Sequence, residues 1–201
     1  MTLEATIVPA NEVSWEDLQA VFGTRGDPSR CWCQRFRMAP NESWASVGSA
    51  ELARRFREQT ACGDARSETT SGLVVLVEGD PVGWCAVDRR SAHARLLRNN
   101  RVPWEGRTED KTDDSVWAVT CFVTRVDYRK RGLSYALARA SVDFARERGA
   151  RALEGYPMLT KPGQDIAWGE LHVGNRSIFD AAGFAEVSHP TPRRVVMRID
   201  F

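Results

Sequence analysis

The sequence predicts an α/β (α+β) fold, one sheet flanked by helices, and three observations predict it. Residues 116–123 (VWAVTCFV) are almost continuously apolar and rich in β-branched side chains, the pattern of a strand covered on both faces. After a short cationic loop, Leu133, Leu137, Ala140 and Phe144 recur at steps of four, three and four, the single apolar stripe of a packed helix. Residues 72–77 and 82–87, joined by Glu78-Gly79-Asp80-Pro81, read as a hairpin.

In chain order, residues 4–9 (EATIVP) form a short first strand. Ser14 is placed to cap a helix whose apolar side is Trp15, Leu18, Val21 and Phe22. Residues 23–41 break every period and read as a long loop, the kind of segment that binds things. Its aromatics Trp32 and Phe36, with Trp44 just beyond, either plug the domain edge or wall a substrate pocket. A helix follows over 49–60, with Leu52, Ala53 and Phe56 inward. Residues 91–114 carry many charges and no clear period, an excursion between strands that is partly ordered at best. A strand over 152–158 is entered through Gly149. A loop over 160–173, a short helix over 175–182 stopped by Gly183, and a last strand over 194–199 complete the chain.

The chain of 201 residues is expected to be one domain, 1–201, with loop insertions near 23–43 and 91–114. Its formal net charge of +1 argues against binding nucleic acid or membrane through overall charge. The polar start is unlike a signal peptide, and no apolar run approaches membrane-spanning length. Five cysteines, two of them (Cys85, Cys121) inside strand-like runs, suggest reduced thiols and a cytoplasmic protein. The Cys31-Trp32-Cys33 spacing differs from zinc knuckles, and no metal is expected.

The loop between the buried strand and the long helix is Arg125-Val126-Asp127-Tyr128-Arg129-Lys130-Arg131-Gly132. A strand that passes through a glycine turn into a helix aims free N–H groups and a positive dipole end at one spot, which is an anion site and usually a phosphate site.

Arg129-Lys130-Arg131-Gly132-Leu133-Ser134 resembles the acetyl-CoA loop of the GNAT family of N-acetyltransferases. Pro81-Val82-Gly83-Trp84 and Phe179-Asp180-Ala181-Ala182-Gly183-Phe184 resemble two further elements of that family, in the right order. The resemblance covers roughly 72–199. It implies a central, mixed but mostly antiparallel twisted sheet, splayed between strands 4 and 5, with acetyl-CoA as co-substrate. Arg129, Lys130, Arg131, Gly132, Leu133 and Ser134 would bind the pyrophosphate, and Gly132 removes the Cβ that would obstruct its approach. The pantetheine arm would lie against the backbone of Cys121, Phe122 and Val123, with Asn175 either capping its helix or touching the arm, and with Phe179 nearby.

Where many members carry a Tyr that protonates the leaving sulfur, this chain has Phe179; Tyr156 and Ser177 are the replacement candidates. Where some carry a Glu base, it has Trp117; Glu154 is the nearest candidate, competing with a water relay, and Glu170 lies opposite. Cys121 reads as a buried small hydrophobe rather than a nucleophile, and His172 falls near the same site. The implied activity is acetyl transfer to a primary amine of a small molecule or peptide by direct attack. A non-catalytic coenzyme-A-binding sensor or interaction module is the alternative. The protein would act as a monomer or homodimer, without nucleic-acid or membrane partners. Acidic loop residues Asp27, Glu105, Glu109 and Asp110 would suit a cationic amine.

Overall fold

The computed structural model describes residues 5–98, 101–161 and 166–201 and, for Trp168, the backbone alone. A seven-stranded sheet runs in the order β1-β2-β3-β4-β5-β7-β6. Its strands are β1 (Ala5–Pro9), β2 (Gly72–Val77), β3 (Asp80–Arg89), β4 (Val116–Thr124), β5 (Ala152–Gly155), β6 (Ala185–Thr191) and β7 (Arg194–Asp200). Neighbours are antiparallel except β4 and β5, which pair in parallel from Val116↔Ala152 to Val119↔Gly155.

The helices are α1 (Trp15–Phe22), α2 (Gly26–Cys31), α3 (Trp44–Val47), α4 (Ser49–Thr60), α5 (Ala94–Arg98), α6 (Arg101–Trp104), α7 (Leu133–Glu147), α8 (Trp168–Leu171) and α9 (Arg176–Ala181). Ser14 caps α1 in a reciprocal box with Asp17. The β2–β3 turn is tighter than the sequence suggests. Glu78 and Gly79 take positive φ (53° and 87°), the two-residue geometry that matches strand twist, so Asp80 and Pro81 already belong to β3.

Alternation along the strands splits the core into two layers. Val75, Cys85, Val119 and Phe122 face α7 and α9, where Leu137 and Phe144 meet them. Val74, Trp84, Cys121 and Val123 face α1 and α4, where they meet Leu18, Phe22 and Phe56. Leu137 is fully buried, worth about 1.5–3 kcal/mol for such a side chain. Trp32 stacks on Trp15 and on Phe22, both with centroids 5.3 Å away, so it plugs the edge of the second layer.

Four expectations are corrected. The polar segment 185–191 is a strand, and the sheet therefore has one strand more than the period indicates; β6 is an exposed edge, where no inward face imposes alternation. β5 stops at Gly155, and Met158 makes only isolated bridges to Asn175 and Arg194. The aperiodic segments 23–41 and 91–114 contain short helices. In the second of these, Trp104 is buried with Arg90, Arg107 and Lys111 over its ring at 4.8, 5.6 and 5.0 Å, so ring and charge contacts give the order rather than a stripe. Glu4 and part of the expected loop 160–173 lie outside the described residues.

The β4–β5 separation has a visible wedge. A Cβ built on Gly155 would sit 2.1 Å from the Phe179 ring, so that ring occupies the space a side chain would need. Phe179 is fully buried against Phe122 and Phe184 in edge-to-face contacts. Gly155→Ala is expected to cost about 1–3 kcal/mol by overpacking and to lower Tm by several degrees in a thermal melt. Adding Phe179→Leu should recover part of that loss.

Candidate functional site

Beyond Val119 the parallel ladder ends, and β4 continues through Thr124 without β5 beside it. At the same point β4 carries a bulge: Ala86 pairs with Cys121 and Val87 with Val119, leaving Thr120 as the extra residue. The chain's own segment 172–175 enters the resulting gap. The Phe122 N–H donates to the His172 carbonyl at 2.6 Å, and the Met158 N–H donates to the Gly174 carbonyl at 3.0 Å. One strand-like turn thus bridges both sides of the split.

This pairing fixes which backbone groups face the gap. Arg125 donates to Val82 of β3, so Val123 and Cys121, two and four residues earlier, also turn their backbones toward β3. Of the expected Cys121, Phe122 and Val123, Phe122 alone turns its backbone toward the gap, and Thr124 turns the same way, as two-residue alternation along β4 indicates.

After β4 the chain turns through a 3-10 segment, Val126–Tyr128, and enters α7 at Gly132, which is left-handed at φ 77°. Lys130 is also at positive φ, 60°. Among the described residues, the amides of Lys130, Arg131, Gly132, Leu133 and Ser134 have no acceptor, and no side chain caps the helix. Consecutive unpaired N–H groups at the start of a 15-residue helix make a concave, positive surface for an anion. Arg129 reaches back, its Nε donating to the Thr124 carbonyl at 3.4 Å. Arg131 leans over Tyr128 and donates to the Asp127 carbonyl. A cavity of about 180 Å³ runs from this loop to the gap, between Phe122, Thr124, Arg129, Ser134, Gly174 and Asn175.

Asn175 caps α9, its Oδ1 accepting the Ile178 N–H, and the residue also lines that cavity. Ser177 donates to Asn175 Oδ1 at 2.9 Å and meets the Tyr135 hydroxyl at 2.9 Å, on an exposed surface. Phe179, expected near the cofactor, has no exposed surface in this structure. Its ring is core, packed between β4 and β5, and it shapes the cavity only through the walls it supports.

On the opposite face of β4 lies a second cavity, of about 250 Å³. Cys121 and His172 form its inner end, and Phe36, Trp44, Arg30 and Arg35 form its outer walls. Of the loop aromatics, then, Trp32 is core while Phe36 and Trp44 are pocket wall. Nδ1 of His172 faces the Gly169 carbonyl at 3.0 Å and so carries the proton. Burial first, then Arg35 and Arg194, lower the His172 pKa to about 3, which keeps the ring neutral. The Cys121 thiol is held well above its usual pKa, first by its hydrogen bond with Cys33 and then by burial. It stays protonated.

Glu154 and Tyr156 take another place than the one expected. Glu154 is fully buried, and Arg198 and Arg90 reach its Oε1 at 2.9 and 3.2 Å. Arg107 contacts both of its oxygens, and the Tyr156 hydroxyl donates to Oε2 at 3.0 Å. Burial and then the Glu154 charge push the Tyr156 pKa well up. These two side chains satisfy each other and three guanidiniums rather than face the gap. The sequence shows no signal for this cluster, because its arginines come from 90, 107 and 198.

The profile of the Acetyltransferase (GNAT) family matches residues 30–157 of this chain. In fold the chain is similar to the GNAT domain of S. lividans PAT, at 15% identity and TM-score 0.52, covering 100% of this chain and 95% of that one. It is also similar to aminoglycoside acetyltransferase AAC(6')-Ib in complex with coenzyme A, at 17% identity and TM-score 0.53, covering 98% and 95%. An N-acetyltransferase from Staphylococcus aureus Mu50 superposes with TM-score 0.53 at 12% identity, covering 98% of each chain. No curated protein sequence matches.

Glu154→Gln, which removes the buried carboxylate that Arg90, Arg107 and Arg198 share and leaves the fully buried Arg90 undercompensated, is expected to cost about 3–5 kcal/mol in urea unfolding. The cluster also sets an acid limit. Burial raises the Glu109 pKa, but hydrogen bonds from Arg90 and Arg107 more than reverse this and hold it at about 2, below its ordinary 4.5. A depressed carboxylate stabilises the fold above its unfolded pKa, so this contribution should disappear as pH falls from about 4.5 to 2. In fluorescence-monitored acid titration, Glu109→Gln should lose less stability than the parent across that window.

Proposed function

The chain belongs to the Acetyltransferase (GNAT) family, and from that membership we propose an acetyl-CoA-dependent N-acetyltransferase that acylates a primary amine of a small molecule or peptide by direct attack. One observation carries the proposal: the five acceptor-less amides from Lys130 to Ser134 stand at the mouth of a cavity that leads to the split between β4 and β5. The pyrophosphate of coenzyme A would be held by those amides and the α7 dipole. Charge-assisted contacts from Arg129, Lys130 or Arg131 would add to them. The pantetheine arm would run past Ser134 and Asn175 to the Phe122 and Thr124 side of β4, bringing its thioester to the bulge.

The acceptor amine would arrive from the other face, through the cavity that ends at Cys121 and His172. Its nitrogen lone pair forms the bond to the thioester carbonyl carbon. The carbon–sulfur bond then breaks, with its electron pair on sulfur, and the proton from nitrogen passes to water. Neutral His172, with Nε2 as its basic nitrogen, can relay that proton but, at a pKa of about 3, cannot hold it. A protonated Cys121 is a poor nucleophile, which favours direct attack over an acyl-enzyme. The leaving thiolate needs little help, because a thiol has a pKa near about 8.5. With Phe179 in the core and Tyr156 bound to Glu154, we propose that no dedicated acid protonates it and that Glu154 and Tyr156 stabilise the fold. Ser177 belongs to the exposed surface beside Asn175.

Calorimetric titration with coenzyme A, followed by thiol release from acetyl-CoA, tests the reading. Gly132→Val forces a β-branched residue into the left-handed region at about 1–2 kcal/mol and puts a side chain where the phosphates would approach; coenzyme A affinity should fall about tenfold or more. Unchanged affinity would refute the loop assignment. Tyr156→Phe and Ser177→Ala should each keep kcat within about tenfold, whereas loss of a true general acid would cost about 10²–10⁴.

A further inference from the structure

The second cavity carries a charge pattern that bears on the acceptor. Several carboxylates of the loops are engaged away from it: Glu42 with Arg55 at 2.9 Å, Glu105 with Arg101 at 2.7 Å, and Glu170 with Arg193 at 2.9 Å. Glu109 belongs to the Arg90 and Arg107 cluster. Of the acidic residues that would suit a cationic amine, only Asp27 lines the cavity. Arg30 and Arg35 line it as well, and among the described residues neither has a hydrogen-bond or ion-pair partner. Among the described residues, two guanidiniums stand against one carboxylate and leave the wall net positive.

The potential reaches the inner end. Arg35 and Arg194 both act on His172, and Arg35 acts on Arg194 in turn. Phe36 lies beside His172, with ring centroids 5.9 Å apart, and Trp44 is one of the exposed large apolar side chains of the chain. The site therefore offers a fork for a planar anion and two aromatic faces. Its volume, about 250 Å³, suits one small molecule and is below the usual range for a drug-sized ligand.

Building on the transfer reading above, we propose that the acceptor is an amine that carries its own carboxylate, a free amino acid with an apolar side chain. Its carboxylate would pair with Arg35, aided by Arg30, and its side chain would lie between Phe36 and Trp44. Its amine would point inward past Cys121 to the thioester. A polyamine or oligocationic sugar brings charges of the wrong sign to the same wall.

The test compares thiol release from acetyl-CoA with phenylalanine, phenethylamine (the same ring and amine without the carboxylate) and spermidine. Phenylalanine should lead both by about tenfold or more in kcat/KM. Arg35→Gln, a change at an exposed side chain, should erase most of that lead by raising KM for phenylalanine far more than for phenethylamine. Equal or better use of phenethylamine or spermidine would overturn the inference, as would an equal loss on both amines in the variant. Calorimetric titration of phenylalanine into the protein with coenzyme A separates the two levels. Binding that Arg35→Gln abolishes, with no thiol release, supports the site and sinks the transfer reading. Phenylalanine that neither binds nor reacts overturns the site, even if another amine is acetylated.

Discussion

The Phe179 ring fills the space beside Gly155, and much of the functional geometry follows from that contact. Parallel pairing between β4 and β5 holds for four residue pairs and then has nowhere to continue. A strand end that loses its neighbour leaves N–H and C=O groups that must be satisfied. Here segment 172–175 satisfies part of them from Phe122 on one side and Met158 on the other. Because that segment leads directly into α9, the cap at Asn175 and the wedge at Phe179 are set by the same short stretch of chain. The bulge at Thr120 adds local twist where the pairing ends, so the two cavities approach the same few residues of β4 from opposite faces.

A phenyl ring at position 179 also has a cost and a benefit that are physically linked. It fills the core without a polar atom, so it needs no partner in a place where a buried hydroxyl would need one. It thereby gives up any role in proton transfer. The Tyr156 phenol donates to a buried carboxylate among three guanidiniums, which commits its proton and is the ground for proposing that it does not replace that role.

Charge in this protein is sorted rather than plentiful. With a net charge of +1, many arginines are matched by carboxylates, on the α4 surface and around Glu154 alike. In the loop before α7 and on the wall of the second cavity, positive groups without a partner gather beside a cavity: backbone amides in one, Arg30 and Arg35 in the other. Bulk composition conceals both, since a handful of unpaired groups scarcely moves the total.

Local patterns in the sequence determined a good deal by themselves. Ser14 before an apolar stripe specifies the start of α1, the stretch from Glu78 to Pro81 the presence of a hairpin, and the run from Val116 with the Gly132 turn the strand, the amide-rich loop and α7. Each of these rests on neighbours within one or two turns of chain, where side-chain period and backbone preference act directly. Tertiary structure alone decided the rest. It gave β6, an exposed edge with no inward period, and the bulge at Thr120 with the segment that pairs with Phe122 across the gap. It also decided the fate of Glu154, which as a strand carboxylate reads equally well as a base or as the centre of an ion cluster. Three arginines distant in sequence settle that, because burial makes a carboxylate's role depend on which cations the fold brings to it.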